Sequence, residues 1–309
     1  MKAVVYKSTG SWYQVKTEDG SFYNARMKGI FKLDDITSTN PIAVGDMVHI
    51  SLENTQEKSA IIEEILPRRN HINRQSPRQK HHQHIIAANI DQSILVATIK
   101  EPKTSLGFID RFLIVCEMYH VPAILVFNKI DILKPKDEAQ LAETKALYES
   151  IGYTTFSISV EKKIGLAPFD ALLQNKKSLI SGHSGVGKST LINHILPNQH
   201  IKTQNVSGWS GKGMHTTTFA TMYDLPNGGA IIDTPGIREL AINNLEKEEL
   251  SHYFPEMRKV LHLCKYNNCS HTNEPDCGVK NAVSDGHISP ERFASYLSIL
   301  DSLDEIKKY

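Results

Sequence analysis

The sequence predicts a multidomain fold: an N-terminal OB-type β-barrel, a central α/β domain, and a C-terminal, mainly α-helical domain built around a metal site. Residues 1–66 alternate apolar and polar positions in short runs, whereas apolar strands alternate with helical patterns from about residue 85. The final part of the chain holds a cysteine cluster and one more helix. We therefore place the barrel at 1–66, a basic linker at 67–84, the α/β domain at 85–245 and the helical domain at 246–309.

Length and composition favour a modular, cytoplasmic protein. The chain has 309 residues, and a single hydrophobic core rarely grows past about 250 to 300 residues. Apolar runs such as Ala123–Phe127 are far too short to span a bilayer, and the first residues lack the apolar core of a secretory signal. In a reducing compartment, the four cysteines favour a metal site over a disulfide framework.

The barrel prediction is based on five short strand patterns separated by turn signals such as EDG and AVGD. Five strands in this length fit an OB-type barrel. Such a barrel is either a structural cap on the next domain or an oligonucleotide-binding module, and the basic segment that follows favours the second interpretation.

That basic segment, PRRNHINRQSPRQKHHQH, has 5 Lys/Arg and no Asp/Glu, although the net charge of the chain is only +1. It is either a solvated linker or a contact to the phosphates of RNA or DNA. A third interpretation, a metal site at His81, His82 and His84, lacks matching cysteines or carboxylates nearby.

In the central region, apolar strand patterns at 93–99, 123–129, 154–160, 177–182, 216–225 and 228–234 alternate with amphipathic helical patterns at 109–120, 136–152, 166–175 and 188–196. Alternation of this kind predicts a mainly parallel sheet covered on both faces. Ligands of such sheets bind at the carboxyl ends of the strands.

A last helix is predicted in the C-terminal region, with Ser289 as its N-cap and Pro290 as its first residue. Its apolar stripe is Phe293, Tyr296, Leu297, Leu300 and Leu303.

A phosphate-binding loop is predicted in SLISGHSGVGKSTLINHIL, which reads as strand, loop and helix. Gly182 and Gly187 let backbone N–H groups turn toward a β-phosphate, and the helix N-terminus adds partial positive charge. Lys188 would reach the β- and γ-phosphates, and the Ser189 hydroxyl would bind Mg²⁺.

Two further segments would complete the phosphate and magnesium site that this loop begins. In IIDTPG, Asp233 would hold magnesium through water and the Gly236 amide would sense the γ-phosphate. In GKGMHTTT, a threonine hydroxyl would complete the metal shell, and we favour Thr217 over Thr216. Ile237 stands where Ras-type enzymes have a water-orienting glutamine, so His215 is the nearest polar candidate for the catalytic residue. We expect slow intrinsic turnover that a partner accelerates.

The segment NKID reads the base. Asn128 would brace the site, Lys129 would lie along the base, and the Asp131 carboxylate would accept two hydrogen bonds from guanine. Adenine lacks that donor pair, so the motif selects GTP over ATP. Ser159, in SIS, would contribute a backbone contact to the guanine carbonyl. The predicted nucleotide-binding residues are Asn128, Lys129, Ile130, Asp131, Ser159, Gly182, His183, Ser184, Gly185, Val186, Gly187, Lys188, Ser189, Thr190, Thr216, Thr217, Asp233 and Gly236.

The base-reading segment precedes the phosphate loop, which reverses the usual order. A parallel sheet tolerates rethreading when the original ends lie close together, so the order indicates a circularly permuted GTPase domain.

A metal site is predicted farther on, where CKYNNCSHTNEPDC supplies Cys264, Cys269, His271 and Cys277. Three thiolates and one imidazole form a closed tetrahedral set that predicts one structural zinc ion, although free thiols remain the alternative. Cys116 lies in an apolar helical pattern and is expected to be an inert core thiol.

The combination of NKID, GHSGVGKS, HTTT, DTPG and the cysteine cluster, behind a barrel and LPRRN, resembles the small ribosomal subunit biogenesis GTPase family over essentially the whole chain. The resemblance implies an OB-fold barrel, ribosomal RNA as partner, hydrolysis stimulated by the small subunit during late maturation, and a monomer. It also implies that His215 is the catalytic histidine. The family usually has arginine before this histidine, whereas this chain has Met214.

Two other functions stay open from the sequence. The first is an RNA-binding assembly factor for which GTP is a structural ligand, because Ile237 cannot orient water. The second is a P-loop ATPase or kinase, which the guanine-reading interpretation of Asp131 opposes.

Overall fold

The structure of the protein is a computed structural model, and it describes residues 1–28, 41–54, 56–75, 83–197, 220–233, 242 and 245–307. The N-terminal domain contains strands β1 (Lys2–Ser8), β2 (Tyr13–Thr17), β3 (Phe22–Met27), β4 (Met47–Asn54) and β5 (Ser59–Ile65).

These five strands close into a barrel. Strand β1 pairs with β2 and β4, β3 pairs with β2 and, in parallel, with β5, and β4 pairs with β5. Alternate side chains point inward, so that Val5, Val15, Val48 and Ile62 are buried in one core. The predicted OB-type barrel is confirmed.

The basic segment contains structure that its sequence did not predict. Strands β6 (His71–Gln75) and β7 (Gln83–Ala88) form an antiparallel pair. Arg68 binds the buried Asp46 of the barrel region at 2.6 Å, and Arg69 binds Asp91 at 2.6 Å. Two cations of the segment therefore help to hold the barrel and the α/β domain together. His81 and His82 lie outside the described residues, as does the side chain of His84.

The central domain has a mainly parallel sheet, as predicted. Its strands are β8 (Gln92–Ala97), β9 (Ala123–Phe127), β10 (Thr154–Ser157), β11 (Lys177–Ser181), β12 (Thr221–Asp224) and β13 (Ala230–Asp233). They lie in the order β10-β9-β8-β11-β13-β12, and within the described part of this sheet only β12 is antiparallel to its neighbour. Strands β8, β9 and β10 precede β11 in the chain, and β8 lies directly beside β11 in the sheet.

Helices cover both faces of this sheet. They are α1 (Leu106–Met118), α2 (Pro135–Ile151), α3 (Leu166–Leu173) and α4 (Lys188–Ile195). Along β8, Leu95 belongs to the core shared with α1 and α2, whereas Ile94 and Val96 belong to the core shared with α3 and α4. Burial on both faces explains why the strands read as continuous apolar runs.

The barrel and the central sheet are joined at one edge. Lys7 of β1 pairs with Thr221 of β12, which makes the two sheets continuous. Beside this pair, Asp224 accepts hydrogen bonds from the Tyr6 hydroxyl and from Lys16 Nζ, each at 2.6 Å. This junction was not predicted from the sequence.

The C-terminal domain contains α5 (Pro255–Arg258), α6 (Gly278–Ser284) and α7 (Pro290–Lys307). Ser289 caps α7 as predicted, because its Oγ accepts hydrogen bonds from the N–H groups of Glu291 at 3.1 Å and Arg292 at 3.4 Å. The predicted stripe packs inward: Tyr296, Leu300 and Leu303 are buried, and Phe293 and Leu297 are partly buried.

Among the residues that the structure describes, no helix is both long enough and apolar enough to cross a membrane.

Candidate nucleotide and metal sites

The phosphate loop has the predicted strand-loop-helix geometry. It runs from the end of β11 at Ser181 to the start of α4 at Lys188. Gly187 ends the loop with φ of 90°, and a Cβ there would lie 2.3 Å from Asn128 Nδ2. Glycine is therefore required at this position both by the backbone conformation and by the approach of the base-reading segment.

The predicted magnesium aspartate lies beside the loop. Asp233 ends β13, which runs parallel to β11, and it pairs with Ile180 in the sheet register. Its Oδ1 accepts a hydrogen bond from Lys188 Nζ at 2.6 Å, and both side chains are largely buried. Lys188, predicted to bind the phosphates, and Asp233, predicted to bind the metal, are therefore in direct contact.

Asn128 joins three segments of the site, as its predicted bracing role requires. Its Nδ2 donates to the Val186 carbonyl at 2.9 Å, and its Oδ1 accepts from the Val160 N–H at 3.3 Å. The side chain is buried, so these hydrogen bonds are not shared with bulk water. The amide thus links the base-reading segment to the phosphate loop and to the end of the SIS segment.

Asp131 is oriented by a residue from the loop that follows β10. Ser159 Oγ donates to Asp131 Oδ1 at 2.5 Å and accepts from the Lys162 N–H at 3.0 Å. We predicted a backbone contact to guanine for Ser159, and its side chain adds a second role by fixing the carboxylate. Lys129 adopts a left-handed conformation with φ of 63°, and its Nζ donates to the Glu101 carbonyl at 2.6 Å.

The loop between β8 and α1, residues 98–105, belongs to the site but was not predicted from the sequence. It receives the Lys129 hydrogen bond through Glu101, and Thr104 Oγ1 lies 2.7 Å from Nε2 of His183 in the phosphate loop. One signal could have identified it: the loop follows the carboxyl end of an apolar parallel strand, where ligands of such sheets bind.

Part of the predicted site lies outside the described residues. This part comprises the catalytic candidate His215 and the switch residues Thr216, Thr217 and Gly236. The other predicted nucleotide-binding residues are described, and they lie at the carboxyl ends of β9, β11 and β13 or in the loop just past β10.

The four predicted zinc ligands come together in the C-terminal domain. The ligand atoms of Cys264, Cys269, His271 and Cys277 all lie within 4.8 Å of one another. His271 Nδ1 is 3.6 Å from Cys264 Sγ and 3.4 Å from Cys277 Sγ. Bond lengths of about 2.0 to 2.3 Å in a tetrahedron separate neighbouring ligands by about 3.5 Å, so the set fits one zinc ion.

The chemistry of the donors also fits a cation. Burial raises the pKa of Cys269 to about 12, and the neighbouring Cys277 and Cys264 add to this shift. Thiols packed in this way ionise readily only if a positive charge lies between them. Cys116, by contrast, is buried in the core of the α/β domain, and burial raises the pKa of its thiol, as expected for an inert residue.

The arrangement suits a purine nucleotide with its metal ion. Helix α4 begins directly after the phosphate loop, Lys188 and Asp233 lie together beside that loop, and Ser159 orients the Asp131 carboxylate just past the end of β9. A GTPase needs these elements for phosphate binding, magnesium binding and base selection.

Family models match most of the chain. Residues 65–243 match the model described as RsgA GTPase, and residues 2–62 match the RsgA N-terminal domain. The chain is 52% identical to a protein of Cytophaga hutchinsonii named small ribosomal subunit biogenesis GTPase RsgA, over 98% of this chain and 99% of the relative. It is 49% identical to a Bacteroides thetaiotaomicron protein named small ribosomal subunit biogenesis GTPase RsgA 2, over 99% and 98%.

Two solved structures are similar to this chain over nearly its whole length. The crystal structure of YjeQ from Thermotoga maritima superimposes with a TM-score of 0.79 at 32% identity, covering 98% of each chain. The structure of YloQ, described as a circularly permuted GTPase, superimposes with a TM-score of 0.75 at 29% identity and covers 98% of this chain and 95% of that one. With a permuted strand order that brings the NKID segment and the phosphate loop to the carboxyl end of the sheet, the chain belongs to the RsgA GTPase family and is a GTP hydrolase.

Proposed function

We propose that the protein hydrolyses GTP while bound to the small ribosomal subunit, that it assists late maturation of that subunit, and that the subunit stimulates the hydrolysis. The relatives at about half identity over the full length are named as GTPases of small ribosomal subunit biogenesis, which supports the proposal. The observation that carries the proposal is the bond network of Asn128, which ties the guanine-reading segment to the phosphate loop despite their reversed order.

In this proposal, the base is read by Asn128, Lys129, Ile130, Asp131 and Ser159. The phosphates are held by residues 182–190, with Lys188 as the charged ligand. The hydrogen bond from Ser159 to Asp131 supports this assignment, because a carboxylate fixed in advance costs less entropy to engage with guanine.

Magnesium accompanies the nucleotide in GTPases generally. We propose Ser189 and Thr217 as its protein ligands, with Asp233 acting through water, Gly236 sensing the γ-phosphate and Thr216 contributing nearby. His215 is proposed as the residue that positions the attacking water. The position of Asp233 beside the start of α4 supports the metal assignment.

The Cys264, Cys269, His271 and Cys277 set would hold one structural zinc ion. All four positions are filled by protein ligands, so no position is left for a reacting water. Zinc would therefore stabilise the C-terminal domain and take no part in hydrolysis.

For the partner, we propose ribosomal RNA bound across the barrel. Trp12 is 53% exposed and Phe22 is 37% exposed on the barrel. Exposed aromatic rings bind unpaired bases by stacking. We also propose that the protein acts as a monomer in the cytoplasm, with the domain boundaries given above.

The test is phosphate release from GTP, measured with and without purified small ribosomal subunits. We expect slow release by the protein alone, marked acceleration by small subunits, and little effect of large subunits. A His215→Ala variant should bind GTP and subunits normally and lose the accelerated release. Absence of turnover under all conditions, together with tight GTP binding, would instead make GTP a structural ligand. Equal turnover of ATP would contradict the guanine assignment.

A further inference from the structure

We propose that Thr104 is a positioning residue of the nucleotide site, and that its hydrogen bond to His183 holds the phosphate loop in the shape that binds the nucleotide. The inference rests on the GTPase activity stated above. It adds a residue from the loop after β8 that none of the GTPase sequence motifs contains.

Thr104 is fixed before it contacts the phosphate loop. Its N–H donates to the Thr98 carbonyl at 2.8 Å, and its Oγ1 accepts from the Thr98 N–H at 3.0 Å. The residue is only 7% exposed. Thr98 directly follows β8, an interior strand of the parallel sheet, so these two bonds anchor Thr104 to the end of that strand.

The hydrogen bonds of His183 define which of its two ring nitrogens carries the hydrogen in the neutral form. Nδ1 lies 3.2 Å from the Ser184 carbonyl, and a carbonyl can only accept, so Nδ1 carries the hydrogen. In the neutral ring Nε2 is then an acceptor, and the Thr104 hydroxyl at 2.7 Å is its donor. The Thr104 oxygen thus donates to His183 while it accepts from Thr98, and both polar roles of the hydroxyl are used.

Two apolar contacts reinforce this bond. Phe108, in the first turn of α1, meets the His183 ring edge-on with centroids 5.3 Å apart. Pro102 lies so close to Gly185 that a Cβ on Gly185 would be 3.2 Å from it. The segment 102–108 therefore supports residues 183–185 of the phosphate loop from one side.

This support matters because the loop binds phosphate through its backbone. The N–H groups converge on the anion only in one loop conformation, and nothing in a glycine-rich segment imposes that conformation locally. A contact that selects it in advance lowers the entropy lost on binding. Thr104 is suited to this task because it precedes the N-cap of α1, and α1 is itself held by the C-terminal domain through Asp110 and Arg292.

The test uses the full-length chain and calorimetric titration with GDP. Thr104→Val keeps the shape of the side chain but removes the hydroxyl, which both donates to His183 and accepts from the Thr98 N–H. We expect GDP affinity to fall about fivefold to tenfold, the equivalent of about one net hydrogen bond. Thr104→Ser restores the donor and should return affinity to near the wild-type value. Thr144→Val is the matched control, because Thr144 is 8% exposed and its hydroxyl donates to the Gln140 carbonyl of α2, away from the nucleotide site.

Two further readouts separate positioning from general destabilisation. The ¹⁵N shifts of the His183 ring should move away from the Nδ1–H tautomer in Thr104→Val and return in Thr104→Ser. A double-mutant cycle with His183→Phe, which keeps the ring contact to Phe108, should show that the second substitution adds little to the first. The ratio of GDP to XDP affinity should stay constant, because Asp131 is untouched.

The proposal is overturned if Thr104→Val binds GDP like the wild type, if Thr104→Ser is as weak as Thr104→Val, or if the two losses in the cycle are additive. Because GDP binding is measured without ribosomes, failure here is distinct from failure of subunit-stimulated hydrolysis.

Discussion

Arg292 of the last helix and Asp110 of the first helix of the α/β domain form a buried ion pair, with Nη1 and Oδ1 2.5 Å apart. Arg292 Nε also donates to Glu256 at 2.6 Å, and the guanidinium carbon lies 4.5 Å from the ring centroid of Phe254. The Tyr148 hydroxyl donates to the same Asp110 oxygen at 2.7 Å. This cluster joins the zinc-ligand domain to two helices of the GTPase domain.

The charge of Arg292 is preserved in this environment. Burial alone would lower the pKa of the guanidinium, but the carboxylates of Asp110 and Glu256 outweigh burial and raise it. The cation therefore remains paired with both acids, and its removal would leave two carboxylates buried without their counterion.

We expect Arg292→Met to lower the free energy of unfolding by about 3–5 kcal/mol, because breaking a buried pair strands the remaining charge. Arg258→Met is the matched control: Arg258 is 52% exposed in its 3.3 Å pair with Glu117, and such pairs contribute about 1 kcal/mol or less. Urea denaturation of both variants measures the difference. Similar losses in the two would show that the buried cluster is not a main connection between the domains.

The Asp131→Asn substitution should shift the base preference of the nucleotide site from guanine to xanthine. An amide offers one acceptor and one donor, which match N1–H and the C2 carbonyl of xanthine, whereas the guanine amino group would face another donor. We expect GDP affinity to fall roughly 100-fold or more, with XDP affinity rising, since an unpaired buried donor is strongly rejected. Fluorescent nucleotide titration measures both.

The control for this exchange is Asp170→Asn on α3, a 40% exposed carboxylate that lies 3.2 Å from His194 Nε2. It should leave both affinities unchanged. If Asp131→Asn also kept its guanine preference, Asp131 would not be the base reader.

Cys277→Ser should abolish stoichiometric zinc. Cys277 is one of the four clustered ligands, and its Sγ lies 3.4 Å from His271 Nδ1. A serine hydroxyl binds zinc far more weakly than a thiolate, so elemental analysis should fall from one zinc per chain toward none. Cys116→Ser is the control, because that buried thiol lies in the α/β core outside the cluster. Equal zinc contents in the two variants would contradict the assignment.

Asp91 should contribute stability that depends on pH. Its carboxylate accepts from the Lys177 N–H at 2.8 Å and from Arg69 at 2.6 Å. Burial opposes ionisation, yet these two partners lower the pKa below its ordinary value of 3.8. The folded state therefore binds fewer protons than the unfolded state just below pH 3.8, so the contribution is complete above this pH and is lost as the pH falls.

The measurement compares wild type with Asp91→Asn by urea denaturation at a series of pH values. The wild type should be more stable by a constant amount from neutral pH down to about pH 5, and the difference should shrink below the pKa of a free aspartate. A difference independent of pH down to the acid limit would show that the ionised form of Asp91 is not what matters.

The local parts of the fold and site were predictable because each depends on residues close together in the chain. Alternation of apolar residues predicted the barrel, and runs of apolar residues predicted the parallel strands. The spacing of Gly182, Gly187 and Lys188 predicted a strand-loop-helix, and it is present. The spacing of the three cysteines and His271 likewise predicted a cluster, whose ligand atoms lie together.

The sequence by itself determined which side chains are available for the chemistry, since the donor, acceptor and charge of each are properties of the side chain and its near neighbours. Only the tertiary structure decided which of them touch: Thr104 with His183, Arg292 with Asp110, and Asp224 with Tyr6. The partners in these pairs are 79, 182 and 218 positions apart. Packing of whole elements brings such pairs together, and neither periodicity nor motif spacing carries information about separations of that length.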